Sequence, residues 1–250
     1  MSNRLHAELQ RLYLPHPVAG ADATTTSLVD PHGMMRAMVL ELARPADWEQ
    51  LSRVWLGVQS DLDLPPPAVA VSGSDGFALW FSLAEPVAFA QAHAFLKALC
   101  ARYLRELPAG RLRLMPAADA AISQQAGHTL PPRLQSTGYW SAFIAADLAP
   151  IFADTPWLDS APGNDGQAGI LSPLTSITPP AFEAALERLD VRVVATPPRA
   201  INRSPCLPAA PTGSLSPRQF LLQIMHDDSV ALALRIEAAK ALLPYFDTQQ

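Results

Sequence analysis

The chain has 250 residues, with 18 Lys+Arg against 23 Asp+Glu and a formal net charge of −5. Charged residues make up 16% and hydrophobic residues 49%, a balance too apolar for bulk disorder and sufficient for a sizeable core. Two cysteines, Cys100 and Cys206, lie far apart without CxxC spacing, which excludes a disulfide scaffold and a cysteine-rich zinc module.

Cys100 reads as a core thiol and Cys206 as a loop thiol. No apolar run reaches the length of a membrane span and no signal-type segment opens the chain, so a soluble cytoplasmic protein without a membrane partner is expected. The 25 prolines predict many element boundaries and at least one long loop or linker.

Leu5, Leu9, Leu12 and Tyr13 recur at helical spacing behind Ser2, a candidate N-cap. A polar, Thr-rich loop over 15–33 follows. Residues 34–43 are apolar on both faces except Arg36 and Glu41, which predicts a central, buried strand. Pro45 stands where a helix start is expected, and Trp48, Leu51, Trp55 and Val58 form one apolar stripe behind it. Pro65-Pro66-Pro67 ends that region.

Residues 68–71 and 77–83 read as strands joined by Ser72-Gly73-Ser74-Asp75-Gly76, with Asp75-Gly76 suited to positive φ. Phe77, Leu79 and Phe81 share one face of the second strand, and Ala78 and Trp80 the other. Pro86 is expected to open a helix whose buried face carries Phe89, Ala92, Phe95, Leu96, Leu99, Cys100, Tyr103 and Leu104. Arg111 to Met115 alternates Arg and Leu, a strand with one face wet or against a ligand.

The order strand, helix, hairpin of strands, helix, strand predicts the α+β class and a ferredoxin-like β-α-β-β-α-β core over residues 34–115. Additional strands and helices follow. Gly138 to Ile144 is a candidate strand, a helix starts at Thr178 or Pro179, and Val191 to Val194 is a short strand. Three segments result: an α+β domain over 1–195, a Pro-rich linker over 196–215, and a C-terminal helical hairpin over 216–246. Ser216-Pro217 caps that hairpin, and a helical pair so small must dock, self-associate or bind a partner.

The stretch Ser72-Gly73-Ser74-Asp75-Gly76-Phe77-Ala78-Leu79-Trp80-Phe81 resembles the hairpin of archaeo-eukaryotic-type primases and related primase-polymerase and plasmid replicase proteins. Their hairpin has the form Ser-Gly-x-Gly-x-x-His-apolar-aromatic, on a ferredoxin-like palm. Their first strand ends apolar-Asp-apolar-Asp and binds the divalent metals of nucleotidyl transfer. The matching stretch is Val39-Leu40-Glu41-Leu42-Ala43, so Glu41 stands at one metal position while Ala43 replaces the second acid and Ala78 the histidine. The resemblance spans residues 34–115 and implies a palm that has lost its polymerase chemistry. No catalytic residue is assigned. Mg²⁺ or Mn²⁺ at Glu41 is the metal it implies, and no other cofactor is expected.

Read from the residues alone, Glu41 is instead an acid paired across the sheet with Arg36, Arg111 or Arg113, and Gly73 and Gly76 serve an ordinary turn. No phosphate loop, GxGxxG or nucleophile elbow is present, and the six histidines show no ligand spacing. Arginines cluster at Arg102, Arg105, Arg111 and Arg113, and again at Arg192, Arg199, Arg203 and Arg218. Such clusters suit phosphates, and Trp80 with Tyr139 or Trp140 are candidate stacking platforms, against the plainer reading of solvated arginines and core tryptophans.

The candidate nucleic-acid or nucleotide site is therefore Arg36, Ser72, Gly73, Trp80, Arg111 and Arg113 on the open sheet face. The expected partner is single-stranded DNA or a nucleotide, bound without catalysis in a replication setting. The C-terminal helices resemble a phage small-terminase-like segment, which implies a mobile-element context. The alternative is a non-enzymatic interaction or scaffold protein that self-associates or binds a protein partner through residues 216–246.

Overall fold

The computed structural model describes residues 3–15, 28–30, 33–116 and 130–191. All belong to the first of the two units into which the chain divides, Met1–Val194 and Ala195–Gln250. Ser2, Cys206, the strand positions 192–194, the linker 196–215 and the hairpin 216–246 lie outside the described residues.

The elements in chain order are α1 (Asn3–Leu12), β1 (Met34–Ala43), α2 (Trp48–Ser60), β2 (Ala68–Val71), β3 (Gly76–Ala88) and α3 (Phe89–Tyr103). Then come β4 (Leu112–Met115), β5 (Arg133–Leu134), β6 (Trp140–Ile144), α4 (Asn164–Leu171) and α5 (Pro179–Arg188). The class is α+β, with one six-stranded sheet in the order β4-β1-β3-β2-β6-β5. Every pairing between these strands is antiparallel.

Alternation along the strands sends side chains to two unequal layers. Met38, Leu40, Leu42, Phe77, Leu79, Phe81, Val69 and Val71 face α2, α3 and α5 and form the larger core with Leu51, Val54, Phe95, Leu99 and Phe182. The opposite face carries smaller groups: Ala37, Val39, Ala68, Ala70 and Ala78, with Trp80 and Phe143. Here α1 and α4 cover the sheet through Leu5, Leu12, Tyr13, Ala168 and Leu171. The second face is thus partly roofed, and by elements from both ends of the described chain.

Gln167 fastens α4 to the strand edge. Its side-chain amide accepts from Phe143 N at 2.8 Å and donates to Phe143 O at 2.9 Å, as a neighbouring strand would. This meets the obligation of a buried backbone pair to be hydrogen-bonded.

Three local expectations need correction. The α2 helix starts at Trp48, not at Pro45: Asp47 is extended (φ −144°) and its Oδ1 accepts from Gln50 N at 3.0 Å, a side-chain cap that Pro45 lacks. Pro86 lies inside β3, which runs to Ala88. Pairing with β1 slips between Ala37↔Ser82 and Met35↔Val87, so the missing Pro86 N–H falls in a gap of the ladder. The turn before β3 places its positive φ at Gly73 (+79°), not in the Asp75-Gly76 pair.

Candidate functional site

The register sets one row of side chains across the second face. Glu41 on β1 lies opposite Arg113 on β4 and opposite Ala78 on β3, and Ala78 lies opposite Ala70 on β2. A cation, an acid and two alanines therefore stand side by side. The small alanines leave a hollow that α1 and α4 do not fill, a cleft of about 270 Å³. Val39, Glu41, Ala70, Ala78 and Trp80 form its floor, and Ser72, Ser74, Arg113, Gln135 and Ser141 its polar wall.

Arg113 Nη1 donates to Glu41 Oε1 at 2.8 Å and reaches Asp75 Oδ1 at 3.5 Å. Arg44 Nε donates to Asp75 Oδ2 at 2.9 Å. Glu41 is buried while the Arg113 side chain is 38% exposed, so the guanidinium joins the floor to the solvent side of the cleft. Of the three arginines that could pair with Glu41, Arg113 does so. Burial pushes the Asp75 carboxyl up, but hydrogen bonds from Arg44 and Ser74 and the charges of Arg113 and Arg44 outweigh it and hold it below the ordinary aspartate value.

The Ser72–Gly76 turn folds around one oxygen. Ser72 Oγ accepts from Ser74 N (3.2 Å), Asp75 N (3.2 Å) and Gly76 N (2.9 Å). Ser74 Oγ donates to Asp75 Oδ1 at 3.1 Å, which orients that carboxylate toward the arginines. Gly73 has no room for a side chain. A Cβ there would meet Ser141 N at 2.7 Å and Gln135 Cγ at 2.6 Å. The sequence resemblance singled out Ser72 and Gly73; Ser72 lines the cleft, and Gly73 packs behind it against Gln135 and Ser141.

The structure brings Glu41, Ser72, Gly73 and Arg113 together and places three other candidates differently. Arg36 is 4% exposed and its guanidinium donates to Leu83 O, Arg11 O and Leu14 O. It binds carbonyls at the end of α1 and is not presented to a ligand. Trp80 is 3% exposed, packed edge-on against Tyr13 and Phe143 at 5.4 and 5.9 Å, so its ring is a floor and not a stacking platform. Arg111 donates to Ala43 O and Pro45 O and holds the link between β1 and α2.

Gln135 and Ser141 are wall residues that the sequence does not reveal. Both arrive through pairing of β6 with β2 and β5, which has no local signature. Ser74 and Asp75 were within reach of the sequence, since they complete the turn that carries Ser72.

The donor set does not fit a two-cation centre. Glu41 is engaged by Arg113, its row neighbour is Ala78, and the strand continues to Ala43. Among the described residues no group of three His, Cys, Asp or Glu side chains converges. Clamping two divalent cations requires several such oxygens. No helix among the described residues is long and apolar enough to cross a membrane.

No family model matches the chain, and no curated protein matches it. Among solved structures, the polymerase domain of Mycobacterium tuberculosis ligase D in complex with DNA is similar at a TM-score of 0.34 and 20% identity. The match covers 66% of this chain and 60% of that one, so the chain spans under two thirds of that structure's length.

Proposed function

We propose that this chain is a non-catalytic relative of the primase-polymerase proteins that binds a nucleotide or single-stranded nucleic acid in the cleft of the second sheet face. The reading places the cleft on a ferredoxin-like core. The strand order β4-β1-β3-β2, with α2 and α3 against one face, supports that assignment. A replication role in a mobile-element or phage setting rests on the sequence resemblances alone.

The observation that carries the proposal is the half-buried Arg113 beside two serine hydroxyls above a floor of small residues. Arg113 commits Nη1 to Glu41 and Asp75, while its Nε and Nη2 make no hydrogen bond among the described residues. Two parallel donors on a planar guanidinium match two oxygens of a phosphate. Glu41 holds the arginine's orientation and keeps the site near neutrality, which suits reversible binding. With Ala43 and Ala78 in place of the second acid and the histidine, the cleft binds but does not transfer a nucleotidyl group.

The test is fluorescence anisotropy of labelled single-stranded DNA, duplex DNA and a labelled nucleotide against the full chain, at low and moderate salt. Binding should weaken with salt, and Arg113→Gln should lower affinity and reduce the salt slope by about 1. Arg111→Gln should leave both unchanged. Absence of binding at low salt, or an Arg113→Gln chain that binds as the wild type does, would refute the proposal.

A further inference from the structure

An aromatic pair stands on the two segments that are hydrogen-bonded to the Ser72–Gly76 turn of the cleft. Tyr139 and Trp157 are stacked, with ring centroids 4.9 Å apart and planes 26° from parallel. Tyr139 is 38% exposed and Trp157 half-buried. Trp157 stacks on one face of Tyr139, and Tyr139 keeps its exposure despite that cover. An exposed stacked pair is not needed for a core, because its apolar area stays in water.

The pair is held rigidly to the cleft wall. Gly138 (φ +85°) closes a turn in which Gln135 N donates to Tyr139 O at 2.8 Å. Trp140 and Leu158 exchange two backbone hydrogen bonds of 2.8 and 3.0 Å, which aligns their neighbours Tyr139 and Trp157. Both ring-bearing segments are then tied to Gly73: Thr137 Oγ1 donates to Gly73 O at 2.8 Å, and Gly73 N donates to Pro156 O at 3.1 Å. Gln135, in the same turn, lines the cleft. The rings are thus anchored to the Ser72–Gly76 turn from two sides.

We propose that the Tyr139–Trp157 pair is a stacking platform for an unpaired base of a single-stranded nucleic acid whose backbone runs through the Arg113 cleft. This rests on the cleft reading above and extends it from a single phosphate contact to a strand. Aromatic faces beside a cation-lined groove are what single strands use, because every base has a stacking face. The exposed Arg133 on β5 adds a second cation and forms no salt bridge among the described residues. The two rings are themselves uncharged, so the pair contributes stacking while Arg113 and Arg133 contribute charge. A duplex, whose bases are already stacked, gains nothing from the platform.

The experiment is anisotropy of a short labelled oligothymidylate and of labelled thymidine nucleotide with the wild type, Tyr139→Ala, Tyr139→Phe and Trp157→Phe, each checked for native far-UV circular dichroism. Tyr139→Ala should weaken oligonucleotide binding by about 5- to 150-fold, the equivalent of one lost base stack. Its salt slope should stay unchanged, because no phosphate contact is removed. Tyr139→Phe should bind as the wild type does, and the nucleotide should bind all four chains alike. Oligonucleotide should quench tryptophan emission, and Trp157→Phe should quench less than the wild type at saturating oligonucleotide. A Tyr139→Ala chain that keeps wild-type affinity overturns the platform and leaves the cleft reading intact. A wild type that binds neither ligand overturns both.

Discussion

Replacing Arg36 by leucine distinguishes a ligand-binding arginine from a structural one. The guanidinium is buried and makes three hydrogen bonds of 2.9–3.1 Å, to Arg11 O, Leu83 O and Leu14 O, with Gln10 O at the 3.5 Å limit. Burial pulls its pKa down, yet an arginine stays charged at any pH the fold survives. No carboxylate neutralises it among the described residues. Its counter-charge is the carbonyl end of α1, where aligned peptide dipoles favour a cation by about 0.5–2 kcal/mol.

The leucine side chain would fill the volume but leave the carbonyls without donors. A stranded buried carbonyl costs about 1–3 kcal/mol, and those nearest the end of α1 would regain water. With one or two left dry and the dipole term lost, the net destabilisation is about 3 kcal/mol. For a chain of this size that lowers Tm by about 6–12 °C. Urea unfolding of the full-length chain measures it, and hydrogen exchange should show the α1 amides losing protection first. Arg36→Lys, which keeps the charge but not the fork, should fall between the wild type and Arg36→Leu. An Arg36→Leu chain with wild-type stability and impaired DNA binding would refute this account and return Arg36 to the ligand site.

Three further outcomes follow from local geometry. Gly73→Ala should cost more than Gly138→Ala in urea midpoint: both glycines have positive φ, which costs about 1 kcal/mol or more for alanine, but only Gly73 has backbone at 2.7 Å from the new methyl. Gln167→Leu should lose about 2–4 kcal/mol, since Phe143 N–H and C=O are both left without partners in a buried edge. Tyr103 is pushed up to about 12 by burial, by its hydrogen bond to Asp61 and by that residue's charge. Its neutral form is favoured by folding, so its stabilisation is full below the ordinary tyrosine pKa of 10.0 and is lost as pH rises toward 12. Absorbance titration should show that delayed ionisation, and Asp61→Asn should bring it forward.

Much of the local structure was legible in the sequence. Unbroken apolarity over 34–43 marked the central strand, and the observed strand has those bounds. The alternation Phe77, Leu79, Phe81 against Ala78, Trp80 assigned both faces of β3, and the two cores divide along that line. These features depend on periodicities of 2 and 3.6, which neighbouring residues encode. Helix starts were less secure: Pro45 carries the start signal read from the sequence, whereas the cap hydrogen bond of Asp47 sets the start two residues later.

Partners across the fold were decided by tertiary structure. Arg36, Arg111 and Arg113 look alike as sequence, yet one ends buried under α1, one holds a loop, and one faces a cleft. What separates them is the β1–β4 register, the slip near Arg36 and the docking of α1 on the second face, all contacts between residues far apart in the chain. The same holds for Trp80, whose residue type suits a stacking surface until Tyr13 and Phe143 close over it. Composition and periodicity determine which face of an element is apolar; whether that face meets a helix, an ion pair or water depends on long-range packing that no local pattern encodes.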